Sequence, residues 1–437
     1  MFKTRDLHFY LPLLRVESVP SDLVTRSFCS NSECYVEAEY TTMYLREFSK
    51  LKHAWFKNTS SVIDINKLEV HSAKPVTLES TNTITEYTTN TGNLVLKSYR
   101  LLPSINIEVK ILDRLAEKKY INIPSIHGFL HYSKWTTGIL MEKIQGDVDG
   151  GYPFYRSLNT YLNSGVEHSE ISLASKLGVI IGELHIALNE KPGEDFFGAE
   201  PITTSDISVW SRRIEKMYTS ALRRIDEYVA VIDKLDLRLE IEYWRKILDS
   251  EAYRVVSEAT SNLDLALELN KARIHQDLHL AQMIYTGDGV RDFIIVDFEG
   301  EPGRTEEERL MKEPVLRDMA SMIRSFHYLS HAALMNTYNL TQHETSLRML
   351  REDPTLEWRL RHIYAMTYSY IARMLGSSII SASERKITRN LWKYIHPWIV
   401  ERAVYELYYE SLYRPLWVSI PITGILEASV YRSRALV

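Results

Sequence analysis

The sequence predicts an α+β fold in which a β-rich first part is followed by a mainly helical second part. Residues 76–100 contain three strand-like runs, separated by a Thr/Ser/Asn turn and by an Asn-Thr-Gly turn. The run 104–118 has the apolar spacing of a helix, and 138–144 is an apolar strand. After residue 145 the pattern is that of long helices, which only a hairpin at 282–297 interrupts.

These elements predict a division of the chain into three parts. Residues 1–70 alternate aromatic strand-like pieces with short polar breaks, and we expect a β-rich cap domain there. Residues 71–144 form a small lobe that ends in a hinge, and Ser104 is the predicted N-cap of its helix. Residues 145–437 form a helical lobe. A small sheet with one helix, joined to a larger helical lobe, is the element order of a bilobal protein-kinase-like fold.

Composition narrows the class of protein. The 437 residues are 45% apolar and 25% charged, with a net charge of −5 and the basic residues spread along the chain. This composition does not favour nucleic-acid binding, and we expect no membrane span, no signal peptide and a cytoplasmic location. The two cysteines, Cys29 and Cys34, predict reduced thiols, with a local disulfide as the alternative in a thermophile.

Lys97 lies among apolar neighbours in the strand-like run "LVLKSY". A lysine is costly to bury without a partner, and Glu108 on the following helix is the candidate partner. In kinases such a lysine binds the phosphates of the nucleotide, and a glutamate on the helix holds the lysine in place. From this pattern alone, a surface lysine on an edge strand remains an equal alternative.

The segment 275–302, "HQDLHLAQMIYTGDGVRDFIIVDFEGEP", concentrates carboxylates around two short apolar strands. The hairpin predicts that Gln282 and Asp297 lie at adjacent strand ends, where both offer oxygens to Mg²⁺. Asp277 on the preceding loop is placed to accept a proton from an attacking hydroxyl. Phosphoryl transfer needs these roles, whereas a structural carboxylate cluster needs more basic partners than Arg291, the one Lys or Arg of the segment.

The chain resembles the maltokinase family, relatives of the aminoglycoside phosphotransferases. The resemblance is carried by "HQDLHLAQ", "VDFEGEP" and "EEERLMKEPVLRDMASMIRSFHY", and by "RAVYELYYESLYRPLWVSIPITGI" at 402–425. Upstream, "LESTNT" at 78–83 is similar to the family's phosphate loop, "NIEVKIL" to the helix that carries the lysine's partner, and "IGELHIALN" at 181–189 to the helix after the hinge.

The resemblance implies roles for individual residues, with ATP and Mg²⁺ as cofactors. Asp277 is the implied catalytic base, and Gln282 and Asp297 are the implied magnesium ligands. The implied nucleotide site consists of Lys97, Glu108, the phosphate-loop residues Ser80, Thr81, Asn82 and Thr83, and the hinge residues Met141, Glu142 and Ile144. The family usually has Gly where Gln276 stands, so this side chain is expected to narrow the acceptor pocket or to bind a sugar hydroxyl.

Charged and imidazole side chains around this segment have predicted supporting roles. Residues 314–330 have the spacing of an amphipathic helix with Pro314 in its first turn. Arg317 or Arg324 is expected to pair with a carboxylate of the loop, Glu299 or Glu301, and Arg324 is also placed in the substrate site. His185 is expected to pack or to tether a loop. His275 is expected to brace the catalytic loop and is counted with the catalytic residues.

The C-terminal helix carries the predicted sugar site. Arg402, Tyr405, Glu406 and Tyr409 share one helix face, and Arg414 and Trp417 follow the helix. Aromatic rings contact the C–H faces of sugars, and charged groups bind hydroxyls. A stripe of this kind is more often packing core, but its charged members favour a binding face.

Three functions are compatible with the sequence. The first is a kinase that phosphorylates the anomeric hydroxyl of maltose, in trehalose- and glycogen-linked metabolism, with a possible trehalose synthase-like partner. The second is a kinase for glucosamine or another amino sugar, in which Glu299 and Glu301 would suit an ammonium group. The third is a non-catalytic carbohydrate-binding or partner-binding protein, which the intact set of Lys97, Glu108, Asp277, Gln282 and Asp297 disfavours.

Overall fold

The computed structural model describes residues 2–4, 7–31, 33–59, 63–77, 80–146, 148–165, 170–380 and 384–434. By its contacts the chain divides into two units. The first contains residues 1–146 together with 294–298, and the second contains residues 147–293 and 299–437.

The first unit is built on strands. It contains β1 (Phe2–Thr4), β2 (Leu7–Phe9), β3 (Leu13–Val16), β4 (Ser27–Ser30), β5 (Glu33–Glu37), β6 (Ala54–Asn58), β7 (Val70–Thr77), β8 (Thr83–Thr89), β9 (Gly92–Ser98), β10 (Ile126–Tyr132) and β11 (Trp135–Glu142), with the helices α1 (Tyr44–Phe48) and α2 (Ile107–Glu117). Six strands form one antiparallel sheet in the order β6-β10-β11-β9-β8-β7, and β3-β5-β4 form a smaller sheet.

Alternating burial explains why residues 83–98 become sheet. Along β8 every second side chain is buried, as the two-residue period of a strand requires. Tyr87 and Leu96 from this face pack with Tyr44 and Phe48 of α1 in one apolar core. The three predicted strands and the turn between β8 and β9 are confirmed, whereas the turn between β7 and β8 lies partly outside the described residues. The helix after them starts at Ile107, and its N-cap is Asn106, whose side chain accepts from the N–H of Val109 at 3.1 Å. The prediction of Ser104 as N-cap was wrong.

The first 70 residues contribute to three sheets of the first unit, which are the β1-β2 pair, the β3-β5-β4 sheet and the six-stranded sheet. Strand β6 pairs antiparallel with β10 of the six-stranded sheet, and residues 1–70 form no unit of their own by their contacts. The division at residue 70 stays a prediction. Cys29 and Cys34 face each other across the β4–β5 pair and form a disulfide. Reduced thiols were the wrong expectation, because the hairpin register places the two side chains directly opposite.

The second unit is mainly helical. Its helices are α3 (Tyr152–Ser164), α4 (Ile171–Asn189), α5 (Thr204–Val231), α6 (Leu235–Ile247), α7 (Tyr253–Ser261), α8 (Glu306–Leu310), α9 (Leu316–Tyr338), α10 (Gln342–Arg351), α11 (Leu356–Met374), α12 (Glu384–Tyr413) and α13 (Ser419–Arg434). Short strands are β12 (Val148–Asp149), β13 (Glu200–Pro201), β14 (Asn270–Ala272), β15 (Met283–Tyr285), β16 (Phe293–Ile295) and β17 (Glu313–Pro314). The division between the units passes through β16.

Close helix packing organises the second unit. Helix α4 lies against α11, where a Cβ on Gly178 would come within 2.0 Å of the carbonyl oxygen of Met366. Helix α4 is also the one helix of the described residues that is long and apolar enough to cross a membrane, which the sequence interpretation had not expected. Half of that apolar window is buried inside the protein, and core helices pass the same test, so the indication is weak.

Two predicted boundaries in the second unit need correction or refinement. The amphipathic helix starts at Leu316, and Pro314 belongs to the short strand β17 rather than to the first helical turn. Around the predicted hairpin, the N–H of Thr286 donates to the carbonyl of Asp292 at 2.9 Å, which closes the turn that contains Asp288 and Gly289. Gln282 ends a short 3₁₀ turn immediately before β15.

Candidate active site

Lys97, Glu108 and Asp297 meet in the first unit. The Lys97 ammonium lies 2.8 Å from a Glu108 oxygen and 3.0 Å from Oδ1 of Asp297, with its side chain 9% exposed. The hydroxyl of Tyr99 donates to Glu108 at 2.7 Å. Because β9 lies inside the sheet, between β8 and β11, the edge-strand alternative for Lys97 is wrong and the predicted pair with Glu108 is confirmed.

Asp297 belongs to this cluster although it lies 200 residues after Lys97 in the sequence. The N–H of Ile295 donates to the carbonyl of Asn122 at 2.8 Å, which joins the segment to the first unit. Asp297 has a left-handed backbone (φ +63°), and 44% of its side chain is exposed. An ammonium suits phosphate oxygens and an accessible carboxylate suits Mg²⁺, so these residues fit a magnesium-bound nucleotide. Gln282 lies in the second unit, and its role with Asp297 as a shared magnesium ligand stays a prediction.

The structure describes the predicted phosphate loop and hinge in part. Residues 78 and 79 of "LESTNT" lie outside the described residues. Ser80 Oγ accepts from the N–H of Asn82 at 3.2 Å, whereas Thr83 is buried in β8 and donates to Glu37. The Thr83 hydroxyl is thus engaged by the protein, against its predicted role toward phosphate. Met141 and Glu142 end β11, Ile144 is buried, and the adenine-binding role of all three stays a prediction.

A buried carboxylate fixes the loop that carries Asp277. Asp318 of α9 accepts from the backbone N–H of His275 at 2.8 Å and of Gln276 at 3.0 Å. His185 Nε2 lies 3.1 Å from the same carboxylate, and His185 Nδ1 lies 2.9 Å from the Tyr370 hydroxyl. Burial alone would raise the pKa of Asp318, but the contacts with His185 and His275 lower that pKa below its usual value. The prediction that His185 tethers a loop is confirmed.

His275 and Gln276 support this loop from inside the protein. The N–H of Asp277 donates to His275 Nδ1 at 3.3 Å, so His275 braces the loop as predicted. Gln276 Nε2 donates to the carbonyls of Arg309 and Met311 at 2.9 and 2.8 Å. Gln276 is 2% exposed, and the prediction that it contacts the acceptor is not supported, because its amide holds the 309–311 segment instead.

A cavity of about 900 Å³ opens beside Asp277 within the second unit. Eight predicted site residues line it: Asp277, Gln282, Arg402, Tyr405, Glu406, Tyr409, Arg414 and Trp417. The structure brings the catalytic loop and the predicted sugar face together. Four other predicted substrate residues do not line this cavity among the described residues: Gln276, Glu299, Glu301 and Arg324.

The polar side chains of the cavity are linked by ion pairs. Arg402 Nη1 lies 2.9 Å from Asp277 Oδ1, and Arg402 Nε lies 3.2 Å from Glu406. Arg324 is 1% exposed and holds Glu406 at 2.8 Å from behind. Burial lowers the pKa of Arg402, but the adjoining carboxylates, led by Asp277 and Glu301, raise it far above its ordinary value. Arg402 is therefore a permanent cation at Asp277.

Glu410 is a cavity residue that the sequence interpretation missed. One of its oxygens accepts from Arg414 at 2.8 Å and from the Tyr328 hydroxyl at 3.3 Å, while Oε2 is buried with no hydrogen-bond partner among the described residues. Burial, reinforced by the nearby Glu406 charge, raises the pKa of Glu410 to about 7. Its position one helical turn after Glu406 was a usable signal.

Further cavity residues were given no role by the sequence interpretation. Asp149, Tyr152 and Tyr155 line the cavity from the segment after the predicted hinge, and His279 and Tyr328 line it from the catalytic loop and α9. His279 lies in "HQDLHLAQ" and Tyr328 ends "EEERLMKEPVLRDMASMIRSFHY", but the sequence interpretation gave neither a role in the site. Asp149, Tyr152 and Tyr155 belong to no motif that it used. Their contribution depends on how α3 and α9 pack, which local patterns do not specify.

Comparisons with known proteins agree with this architecture. No family model matches the sequence. A glucosamine kinase from Streptacidiphilus jiangxiensis is 23% identical over 164 residues, which are 38% of this chain and 32% of that protein. The chain therefore matches about a third of that relative's length.

Solved structures with a similar fold align with most of the chain. A glucosamine kinase in complex with glucosamine, ADP and inorganic phosphate has a TM-score of 0.65 at 14% identity, covering 95% of this chain and 86% of that one. A second glucosamine kinase structure, crystal form B, has a TM-score of 0.63 at 15% identity, covering 89% and 84%. At such identity the likeness shows the fold alone. The chain has the α+β fold of these kinases, and the predicted protein-kinase-like fold is confirmed.

Proposed function

We propose that the protein is an ATP-dependent kinase that transfers the γ-phosphate to a hydroxyl of a sugar bound in the cavity. The observation that carries this proposal is Asp277, a carboxylate on a rigidly held loop, at the wall of a cavity rich in aromatic and charged side chains. The buried Lys97–Glu108 pair with Asp297 supports nucleotide use, and the shared fold with glucosamine kinases agrees with both.

Each residue of the site would have a definite task. Lys97 would bind phosphate oxygens, with Glu108 fixing its ammonium and the Tyr99 hydroxyl fixing Glu108. Asp277 would accept the proton of the attacking hydroxyl at its carboxylate. Asp297 and Gln282 would be the magnesium ligands, and the ion would neutralise charge on the phosphates.

The charges of the cavity favour an amino sugar as acceptor. Four carboxylates line it (Asp149, Asp277, Glu406 and Glu410) against the two guanidinium groups of Arg402 and Arg414. The excess of carboxylates makes the cavity negative, and an ammonium group of the acceptor would pair with Glu406 or Glu410. We therefore place an amino sugar such as glucosamine first among the acceptors. The predicted contacts of Glu299 and Glu301 with that ammonium are replaced by Glu406 and Glu410.

The aromatic wall favours maltose as the second candidate. The rings of Tyr405 and Tyr409 lie 6.5 Å apart, Trp417 lines the same cavity, and the Arg414 guanidinium lies 4.7 Å from the Trp417 ring centre. A second sugar ring would rest on these rings. Formation of maltose 1-phosphate and a trehalose synthase-like partner rest on the resemblance to maltokinases and depend on this candidate.

A coupled assay of ADP release tests the function and its acceptor. Glucosamine, maltose, glucose and an aminoglycoside are compared, with Asp277→Asn as the blank for catalysis. We expect turnover with glucosamine, and a raised KM for it in Glu410→Gln. Tyr409→Ala should raise the KM for maltose several-fold if maltose is the acceptor, since one ring contact contributes about 1 kcal/mol. Absence of acceptor-dependent ADP release across an extended sugar panel would contradict the kinase proposal.

A further inference from the structure

Glu301 occupies a position that neither the substrate nor the nucleotide explains. It is fully buried and does not line the cavity among the described residues, yet Oε1 lies 2.7 Å from Arg402 Nη1. The same Nη1 lies 2.9 Å from Oδ1 of Asp277. One guanidinium nitrogen is therefore shared between a buried carboxylate on one side and the candidate catalytic carboxylate on the other.

A wider set of buried charges fixes Glu301 itself. Its Oε2 pairs with Arg304 and lies 2.6 Å from Arg317. Arg317 and Arg304 both pair with Glu401, at 3.1 and 2.8 Å. Burial would raise the pKa of Glu301, but Arg304, Arg317 and Arg402 together hold it well below its usual value. Glu301 is thus an anion held by two arginines, with one oxygen left to hold a third.

We infer that Glu301 is a positioning residue for catalysis, which acts on Asp277 through Arg402. The inference rests on the proposed kinase function. Glu301 fixes Arg402 from the side away from the cavity, and Arg402 engages Oδ1 of Asp277. The Asp277 carboxylate is then kept in one orientation, and its second oxygen can receive the proton of the acceptor hydroxyl. Without Glu301 the guanidinium keeps Glu406 as its anchor and can leave Asp277.

The alternative roles of Glu301 make different predictions. If Glu301 bound the acceptor, its replacement would raise the KM for the acceptor and leave kcat unchanged. If Glu301 only formed a structural ion pair, its replacement would lower the fraction of folded protein and leave kcat per folded molecule unchanged. If Glu301 positions Asp277 through Arg402, its replacement lowers kcat and leaves the KM for ATP unchanged. The replacement then has no further effect in a protein that lacks Arg402.

The test measures kcat, both KM values and the melting temperature for Glu301→Gln, Arg402→Gln and the double variant. We expect Glu301→Gln to lower kcat between about 10- and 100-fold, the usual effect of a small misplacement of a reacting group. In the Arg402→Gln background the same change should lower kcat less than about twofold. Equal losses in both backgrounds, an unchanged kcat, or an effect on the acceptor KM alone would each overturn the inference.

Glu427→Gln is the matched control. Glu427 forms a largely buried pair with Arg359 in the same unit, so its loss also removes a buried anion. Among the described residues its ion pairs are with Arg359 and His327, and neither of these lines the cavity. It should lower the melting temperature and leave kcat per folded molecule unchanged. If Glu301→Gln does not fold, Glu301→Asp retains the charge and withdraws it by about one bond length. The same loss of kcat is expected from it, and wild-type kcat would overturn the inference.

Crystal structures separate failure of this inference from failure of the kinase proposal. If the wild-type protein phosphorylates no sugar, the proposed function fails, and the distance from Arg402 Nη1 to Asp277 Oδ1 remains measurable. It is 2.9 Å with Glu301 in place. Loss of that hydrogen bond in Glu301→Gln or Glu301→Asp supports positioning by Glu301. Retention of the bond in both overturns it.

Discussion

At the scale of single residues, two backbone positions explain local features of the site. Gln276 and Asp297 both have left-handed φ values, +71° and +63°. This conformation costs a residue with a Cβ about 1–2 kcal/mol, which is why glycine would serve at position 276, where the resemblance led us to expect it. Gln276 offsets the cost by donating to the carbonyls of Arg309 and Met311. The side chain that the sequence placed in the acceptor pocket joins the catalytic loop to the C-terminal end of α8.

Asp277→Asn tests the catalytic base. The amide cannot accept the proton of the attacking hydroxyl, so kcat should fall by about 10²–10⁴-fold. ATP affinity, measured by calorimetry, should stay within about twofold of wild type, because the candidate nucleotide residues belong to the other unit. Near-normal turnover in this variant would remove Asp277 from the mechanism.

Glu410 makes stability depend on pH. Burial and Glu406 raise its pKa from 4.5 to about 7 in the folded protein, so the folded state binds the proton more tightly than the unfolded state. The contribution to stability is therefore present below pH 4.5 and is lost as the pH rises through about 7. Between a pH below 4.5 and pH 8, the free energy of unfolding should therefore fall by about 3 kcal/mol because of Glu410.

Urea unfolding at pH 5 and pH 8 measures this contribution. Glu410→Gln should flatten the pH dependence, since the amide is neutral throughout. Glu227→Gln is the control, because Glu227 lies exposed on α5 and should leave the pH dependence unchanged. A Glu410→Gln protein with the pH dependence of wild type would show that another group titrates.

At the scale of helices, Gly424 shows how packing reaches the acceptor cavity. A Cβ at this position of α13 would lie 1.7 Å from Nη1 of Arg324 and 2.2 Å from its Cζ. The guanidinium of α9 therefore rests against the backbone of α13, and from there it holds Glu406 of α12 at 2.8 Å. Three helices meet in one contact, and only glycine leaves room for it.

Gly424→Ala should displace Arg324 and release Glu406. The KM for the acceptor should rise on the order of tenfold, since a charged hydrogen bond contributes about 1.5 kcal/mol or more. The KM for ATP should be unchanged. Gly178→Ala crowds the α4–α11 contact to a similar degree and should lower stability without changing the acceptor KM. Equal acceptor KM values in the two variants would contradict the role of Arg324.

The same helices show what local patterns can and cannot predict. The faces of α12 and β8 follow from their periods of 3.6 and 2, so Arg402, Tyr405, Glu406 and Tyr409 were correctly grouped. Arg317 was correctly paired with Glu301, but Arg324 and Glu301 were placed in the substrate site. Their true partners lie 82 and 101 residues away in sequence, and such pairs leave no local signal.

At the scale of the whole molecule, the predicted chemistry is divided between the two units. Lys97, Glu108 and Asp297 belong to the first unit, although Asp297 is 200 residues away from Lys97 in sequence. The acceptor cavity belongs entirely to the second. The motifs predicted both sets, because phosphate binding and proton transfer restrict residue types. The disulfide depends on strand register, and the missed cavity residues depend on helix packing. Register and packing restrict the residue type at a position less than phosphate binding and proton transfer do.

This division predicts that the two ligands stabilise the protein through separate residues. Binding to the folded state raises stability by about 2.7 kcal/mol at a ligand concentration of 100 Kd. Magnesium-ADP should therefore raise the melting temperature of wild type, and Lys97→Met should abolish that rise because the phosphates lose their ammonium partner. The rise caused by the acceptor sugar should persist in Lys97→Met.

The converse variant completes the test. Tyr409→Ala alters the cavity and leaves the Lys97 cluster intact, so its rise with magnesium-ADP should equal that of wild type while the rise with the acceptor becomes smaller. Each variant is compared with itself without ligand, because losing the buried Lys97 leaves Glu108 with less compensation and lowers the starting melting temperature. If Lys97→Met loses the response to acceptor and Tyr409→Ala loses the response to ADP, the ligands do not use the separate residues assigned here.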